Sequence, residues 1–168
     1  MNYLGISYDY KNKPLLVESF IPFGVWAKAY LEGASRPFKV ALERENGRVS
    51  VFSSCLRDEE YAEANLRYME RYVKFLLWSV GGWKVTICGC RETAEKLKEH
   101  YREGGARDFD VHFEYDIFER PFELVTCEEK DFPAANEQAK SIGGHLEGCR
   151  IGFDAGGSDR KEIGRAHV

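Results

Sequence analysis

The sequence predicts an α/β fold of the mixed, α+β type, in which a β-meander is followed by helix, strand, helix and strand. Three observations support this prediction: a hairpin signal at Asn46-Gly47, a long helical stripe that begins near Asp58, and apolar alternation over residues 109–118. The chain has 168 residues, of which 43% are hydrophobic and 14% aromatic. It is therefore long and apolar enough to bury a core of its own.

Three strands are predicted for the meander. Residues 15–23 are rich in strand formers, while residues 36–43 and 48–56 flank Asn46-Gly47, a pair that tolerates the positive φ of a type I′ turn. Apolar side chains alternate along this hairpin at Phe38, Val40, Leu42, Val49 and Val51. One face of the sheet is therefore expected to be buried.

Two helices and a strand are predicted to follow the meander. Acidic residues after Asp58 favour a helix start, and Gly81-Gly82 favours its end. Between them, apolar residues recur every three or four positions, at Leu66, Met69, Val73, Leu76, Leu77 and Val80. Residues 83–88 then predict a buried strand, and residues 92–103 predict an amphipathic helix. The buried side of that second helix comprises Ala94, Leu97 and Tyr101.

Residues 109–118 alternate apolar and polar side chains and are predicted as a half-buried strand, beside which residues 122–127 pair. On such a strand the carboxylates of Asp110, Glu114 and Asp116 would share one face with His112. That face either binds a divalent cation or is a solvated surface. We favour the solvated surface, because exposed acidic faces are common on strands.

Composition and charge narrow the classes of function. The net charge of −4 and the pI of about 5.7 indicate neither a nucleic-acid partner nor an anionic membrane. The amino terminus lacks an export signal and no apolar run is long enough to span a bilayer, so we expect a cytoplasmic protein with five reduced cysteines.

Cys88-Gly89-Cys90 allows two interpretations. A Cys-x-Cys pair supplies two of the four ligands that zinc takes, so we favour core cysteines over a metal site. The same junction, with Thr93 in the following turn, could hold an anion at a helix amino terminus, but an ordinary strand-to-helix turn is the favoured interpretation. His100, His112 and His145 have no evident partners in the sequence.

The segment 150–161 is the most distinctive motif. A short apolar strand leads to Asp154, and Gly156, Gly157 and Ser158 follow at a tight turn before Lys161. Glycines at such a turn let backbone N–H groups approach phosphate oxygens, because they have no Cβ. The same pattern also occurs in plain surface turns.

Residues 151–158 resemble the first phosphate motif of the actin/hexokinase/sugar-kinase ATPases, and most closely that of the ROK family (repressors, open reading frames and sugar kinases). The family's typical form is Ile-Asp-hydrophobic-Gly-Gly-Thr, so Ser158 stands where the family has Thr. The resemblance implies that Asp154 helps to hold Mg²⁺ through water. It also implies that Gly156 and Gly157 approach the β- and γ-phosphates of ATP, with Ser158 supplying the hydroxyl.

This resemblance implies an amino-terminal fragment of a ROK-like ATP-dependent sugar kinase or sugar-responsive regulator. Residues 1–128 would form an α/β domain, residues 129–149 a connector, and residues 150–161 the start of the ATPase domain. Residues 162–168 match the translation of a common sequencing adapter and are expected to be a non-native tail.

The partners implied are the missing carboxy-terminal ATPase domain and a sugar substrate of the parent protein. Phosphoryl transfer needs several positioned elements, so we expect this chain alone to be inactive and to bind ATP and Mg²⁺ weakly or not at all.

Two other interpretations remain open. The first is a non-enzymatic α/β binding or interaction module, to which the aromatic-rich residues 20–26 with Tyr30 would contribute a groove or docking surface if they do not simply pack beneath a loop. The second is an RNase H-like unit over residues 14–118. It is a possibility for the fold and not for the activity, because Glu18 is the only candidate carboxylate on its first strand.

Overall fold

The computed structural model describes residues 1–12, 15–17, 19–138 and 148–165. The chain divides into two compact units, Met1–Glu137 and Gln138–Val168. The first unit combines helices with a mixed sheet, so the predicted α/β fold class is confirmed. Among the described residues, no helix is long and apolar enough to cross a membrane.

The first unit begins with a two-stranded ribbon and continues as helices around a four-stranded sheet. Its first half contains β1 (Asn2–Tyr3), β2 (Ile6–Ser7), α1 (Phe23–Leu31), β3 (Arg36–Glu43), β4 (Val49–Leu56) and α2 (Ala62–Val80). Its second half contains β5 (Lys84–Cys88), α3 (Arg91–His100), α4 (Asp108–Phe118) and β6 (Glu123–Cys127). The order in the sheet is β4-β3-β5-β6, with β3 antiparallel to both neighbours and β6 parallel to β5.

The core lies between the helices and one face of this sheet. From the sheet it takes Phe38, Val40, Leu42, Val85, Ile87 and Leu124, and from α2 and α3 it takes Met69, Val73, Leu76, Leu77, Ala94 and Leu97. The predicted helix stripes and the buried strand at residues 83–88 are therefore confirmed.

The predicted hairpin at Asn46-Gly47 is confirmed. Asn46 has φ 58° and ψ 29°, Gly47 has φ 68°, and the Arg48 N–H donates to the Glu45 carbonyl oxygen at 3.3 Å. The predicted burial of Val49 is only partly right, since this residue is half-buried. The register pairs Leu42 with Ser50, so a serine occupies the helix-facing position that the alternation assigned to valine.

Residues 15–23 do not form the predicted first strand. Leu15 and Leu16 are 91% and 99% exposed and lie outside any strand, and α1 already begins at Phe23. Strand formers stabilise a strand only beside a pairing partner, and the described residues offer none here. The meander has two strands and not three, which contradicts the RNase H-like interpretation.

Residues 109–118 form helix α4, so the predicted strand is wrong. Asp110 and Glu114 lie one helical turn apart and are buried, while Phe109 and Phe113 lie one turn apart and are exposed. Alternation with a period of two cannot distinguish this arrangement from a strand. The solvated acidic face is wrong as well, because only Asp116 of its three carboxylates is exposed.

The segment after β6 belongs to the first compact unit. Lys39 pairs with Glu129 and lies 5.8 Å from the ring centroid of Phe132, and Asn136 forms a β-bridge with Val49. Residues 134–138 of the predicted connector are not helical, and residues 139–147 lie outside the described residues. The predicted domain boundaries stay predictions.

In the second unit, β7 (Arg150–Ala155) and β8 (Arg160–Arg165) form an antiparallel hairpin. Asp154 is in register with Lys161, and Gly156 to Asp159 make the turn. The strand–turn–strand form predicted for the terminal motif is therefore present.

Candidate functional site

Three carboxylates are buried where α2, α3 and α4 meet. Glu70, Asp110 and Glu114 are only 6%, 3% and 1% exposed. Buried carboxylates require charged or hydrogen-bonding partners. Each of the three carboxylates has a different set of partners, and these contacts fix α4 against α2.

Glu70 on α2 joins all three helices. It pairs with Arg107 at the start of α4, accepts from Arg67 at 3.3 Å, and lies 2.9 Å from Nδ1 of His100. Burial raises the pKa of Glu70, but the hydrogen bond and charge of Arg107, with His100 and Arg67, outweigh it, so the pKa is lowered overall. The predicted isolation of His100 is wrong.

Asp110 on α4 fixes two side chains of α2. Its Oδ1 accepts a hydrogen bond from Lys74 Nζ at 2.5 Å and from Trp78 Nε1 at 2.7 Å. The same ammonium lies 4.9 Å from the centroid of the indole ring. The orientation of Trp78 is thus set by a buried acid and not by packing alone.

Glu114 has the fewest partners of the three. Its Oε2 accepts from the Gly82 N–H at 3.3 Å. Burial, together with the nearby charge of Asp110, raises the pKa of Glu114 to about 7, although the Gly82 hydrogen bond acts in the opposite direction. At neutral pH this carboxyl is therefore close to its midpoint of titration.

Above this cluster lies an exposed surface, which we call the aromatic face: Phe75, Trp78, Phe109 and Phe113. Trp78 stacks on Phe113 with centroids 4.9 Å apart and ring planes at 3°, and Phe109 stacks on Phe113 at 6.0 Å. Phe75, Trp78 and Phe109 are nonetheless 64%, 51% and 68% exposed. Large aromatic groups that are both ordered and exposed are typical of interaction sites.

A groove of about 310 Å³ adjoins the aromatic face between α1 and α2. Phe23, Tyr68 and Tyr72 line it, and Arg71 stands at its rim with the guanidinium 5.6 Å from the centroid of Phe23. No carboxylate of the described residues forms an ion pair with Arg71. The groove therefore combines apolar walls with a positive charge that is available to a ligand.

The residues of the phosphate motif meet at one end of the terminal hairpin. Asp154, Gly156, Gly157 and Ser158 are exposed there, and Lys161 Nζ lies 4.0 Å from Asp154 and 3.5 Å from Asp159. A Cβ on Gly156 would lie 2.8 Å from Asp159 Oδ1, so the turn closes tightly around this glycine. The structure thus places Asp154 beside a tight glycine turn, and the Mg²⁺ and phosphate roles of these residues stay predictions.

The cysteines have structural partners. Cys88 and Cys90 are buried, as expected of core residues, and Cys127 lies in register with Cys88. Burial raises the pKa of Cys88 to about 11, and its thiol donates to Glu129 at 3.5 Å. Across the described ranges, no group of three or more histidine, cysteine or acidic residues is arranged to hold a metal ion.

The Gly89 junction is an ordinary close turn. Gly89 has φ +102°, and a Cβ there would lie 2.6 Å from the Pro37 carbonyl oxygen. The adjacent helix α3 begins at Arg91. Glycine is thus needed here for close packing of the strand-to-helix connection.

Sequence reasoning missed the aromatic face. The sequence pattern that could have indicated it is two residue pairs at helical spacing, Phe109 with Phe113 and Asp110 with Glu114. The predicted isolation of His112 is wrong, since its Nε2 lies 3.5 Å from Asp108, and His145 lies outside the described residues. Comparison of the chain with protein-family models, curated proteins and solved structures finds no match.

Proposed function

We propose that the unit Met1–Glu137 is a non-enzymatic interaction module that binds an acidic amphipathic helix of a protein partner. The partner helix would lie along the α1–α2 groove and cover the aromatic face. The observation that carries this proposal is the combination of high exposure and fixed orientation in Trp78 and its neighbours.

Fixed orientation supports binding because little side-chain entropy is lost when a partner arrives. Trp78 is already oriented by Asp110, and Phe113 is stacked on it with almost parallel ring planes. Tryptophan, tyrosine and arginine dominate the energetics of protein interfaces for the same reason.

The ring contacts favour an apolar side chain of a partner over a stacked base. Phe113 and the ammonium of Lys74 already engage the ring of Trp78. Single-stranded nucleic acids bind by stacking on free ring faces within a positively charged groove. Leucine-like side chains pack against ring edges and into a narrow groove, as in helix-in-groove recognition.

Charge supports an acidic partner. Lys74 is already paired with Asp110 at 2.5 Å, whereas Arg71 has no ion pair with a described carboxylate. A glutamate on the partner helix would form a charge-assisted hydrogen bond with Arg71, next to apolar contacts in the groove. This arrangement also gives the interaction an orientation along α2.

The test uses a synthetic 18-residue peptide with leucines at helical spacing and glutamates between them, labelled for fluorescence anisotropy. We expect saturable binding to the full chain. Arg71→Gln and Phe75→Ser should each weaken it about tenfold, which corresponds to loss of a charge-assisted bond or an aromatic anchor.

Tyr115→Ser is the matched control, since Tyr115 is 50% exposed on α4 but lies two positions from Phe113, on the other side of the helix. Its affinity should equal that of the wild type. Equal binding of a scrambled peptide, or unchanged affinity in both groove variants, would contradict the proposal.

We further infer, for the second unit, that the hairpin β7–β8 is the phosphate hairpin of a ROK-like ATPase domain whose parent is a sugar kinase or a sugar-responsive regulator. The support is local: Asp154 lies next to the end of strand β7, and a turn with a close contact at Gly156 follows. ATP, Mg²⁺ and a sugar would be ligands of that parent protein.

The test is to sequence the DNA that continues the reading frame from its natural source. We expect residues beyond the turn to continue as a strand and to be followed by further glycine-rich loops and an aspartate base. A natural reading frame without those elements would remove the ATPase assignment and leave the interaction module unaffected.

A further inference from the structure

A second concave surface lies between the end of α3, the side of α4 and the start of β6. This cleft has a volume of about 660 Å³, and it uses Val111 and Tyr115 of α4 and not the phenylalanines of the aromatic face. Sites for small molecules have volumes of roughly 300–1,000 Å³. The cleft is thus of the right size for a compact organic ligand.

Its floor is apolar and preorganised. Tyr101 and Phe122 stack with centroids 5.7 Å apart and ring planes at 28°, and Leu124 lies beside them. Tyr101 and Leu124 are only 5% and 4% exposed, so the floor is part of the packed core. A ligand that enters would contact rings that are already in place.

Its rim carries mixed charges. Lys98, Arg102 and His112 stand around the opening, together with Glu103 and Glu123. Arg102 is paired with Glu99 at 3.3 Å and His112 with Asp108 at 3.5 Å, whereas Lys98 forms no ion pair with a carboxylate in the described part of the chain. One cation is therefore available to a ligand.

We propose that this cleft binds a small amphipathic monoanion, an aryl or alkyl group with one carboxylate or sulfonate. The apolar group lies on Tyr101 and Phe122, and the anionic group pairs with Lys98. Glu103 and Glu123 disfavour ligands with several negative charges, because like charges at the rim repel them. This site is independent of the helix-binding function proposed above.

The test uses 8-anilinonaphthalene-1-sulfonate as the monoanionic probe and N-phenyl-1-naphthylamine as its neutral counterpart, both followed by fluorescence titration of the full chain. We expect Lys98→Gln to weaken binding of the anionic probe about fivefold and to leave the neutral probe unchanged, as expected for loss of one exposed ion pair. Val111→Trp fills the cleft and should remove this site for both probes, while any anionic probe bound in the groove at Arg71 is identified by its loss in Arg71→Gln.

Two controls make the outcome decisive. Lys96→Gln removes another exposed lysine of α3 that does not line the cleft, and it should change neither titration. Phe109→Ser alters the aromatic face and should also leave both unchanged. Equal affinity of wild type and Lys98→Gln for the anionic probe overturns the proposal, as does loss of binding in Phe109→Ser alone. Because Lys98 is exposed, its variant tests the proposal even if Val111→Trp does not fold.

Discussion

We expect the Glu114→Gln variant to become more stable relative to wild type as pH rises. Its advantage in unfolding free energy over wild type should be about 3 kcal/mol larger at pH 8 than at pH 4.5. The pKa of Glu114 is about 7 in the folded chain, against an ordinary value of 4.5, because its carboxyl is buried near Asp110. The folded state therefore binds the proton more tightly than the unfolded state. The contribution of Glu114 to wild-type stability therefore falls as pH rises from 4.5 to about 7, and glutamine has no proton to lose.

The measurement is urea unfolding followed by circular dichroism at pH 4.5, 6, 7 and 8, with the two proteins compared at each pH. Glutamine keeps an oxygen that can accept from the Gly82 N–H, so the helix contact is conserved. Asp116→Asn is the matched control, because it removes an exposed carboxylate from the same helix. A stability difference between Glu114→Gln and wild type that does not vary with pH would contradict the assigned burial of Glu114.

The predicted elements that the structure confirms are those whose local backbone preference agrees with their packing in the folded chain. Asn46-Gly47 tolerates positive φ locally and adopts it in the folded chain, so the hairpin was predictable. The apolar residues of α2 recur every three or four positions, and they form its buried side in the folded chain. The helix ends just before Gly81, as the glycine pair predicted. A segment is predictable when its local backbone preference and its tertiary contacts favour the same structure.

Residues 109–118 show the opposite case. Their apolar side chains recur with a period of two, but the residues that α4 buries are Asp110 and Glu114. Hydrophobic pattern analysis assigns charged side chains to solvent, so it fails where Lys74 or a backbone N–H stabilises them inside. The aromatic face forms because α4 buries two acidic side chains and exposes Phe109 and Phe113. The period of the apolar residues therefore could not predict the candidate site.

The segment 15–23 failed for a different reason. Val17, Phe20 and Ile21 have the strand propensity that the prediction used, but β-propensity expresses packing against neighbours and not a preference of the backbone alone. The regular element formed here is α1, which begins at Phe23 and is fixed by the buried side chains of Trp26 and Tyr30.

The Glu70→Ala variant is expected to lose about 3–5 kcal/mol of unfolding free energy at pH 7, the largest effect predicted for a single substitution here. Glu70 is 6% exposed, pairs with Arg107 and lies 2.9 Å from His100, so its removal leaves a guanidinium in a poorly solvated site. The loss of unfolding free energy in this variant should be smaller at acidic pH. The pKa of Glu70 is lowered in the folded chain, so the stability it contributes is present above its ordinary pKa and is lost as pH falls through the lowered value.

Three further variants separate the charge from the packing. Glu99→Ala removes an exposed glutamate of α3 whose partner Arg102 lies 3.3 Å away, and it should cost less than about 1 kcal/mol. Arg107→Met alone should also destabilise, because Glu70 is then left buried with weaker partners. The double variant Glu70→Leu, Arg107→Met should recover much of the loss, since an apolar pair of similar volume leaves no unpaired buried charge at these two positions. A double variant as unstable as the sum of its single substitutions would mean that α4 is fixed by packing at these two positions and not by the ion pair.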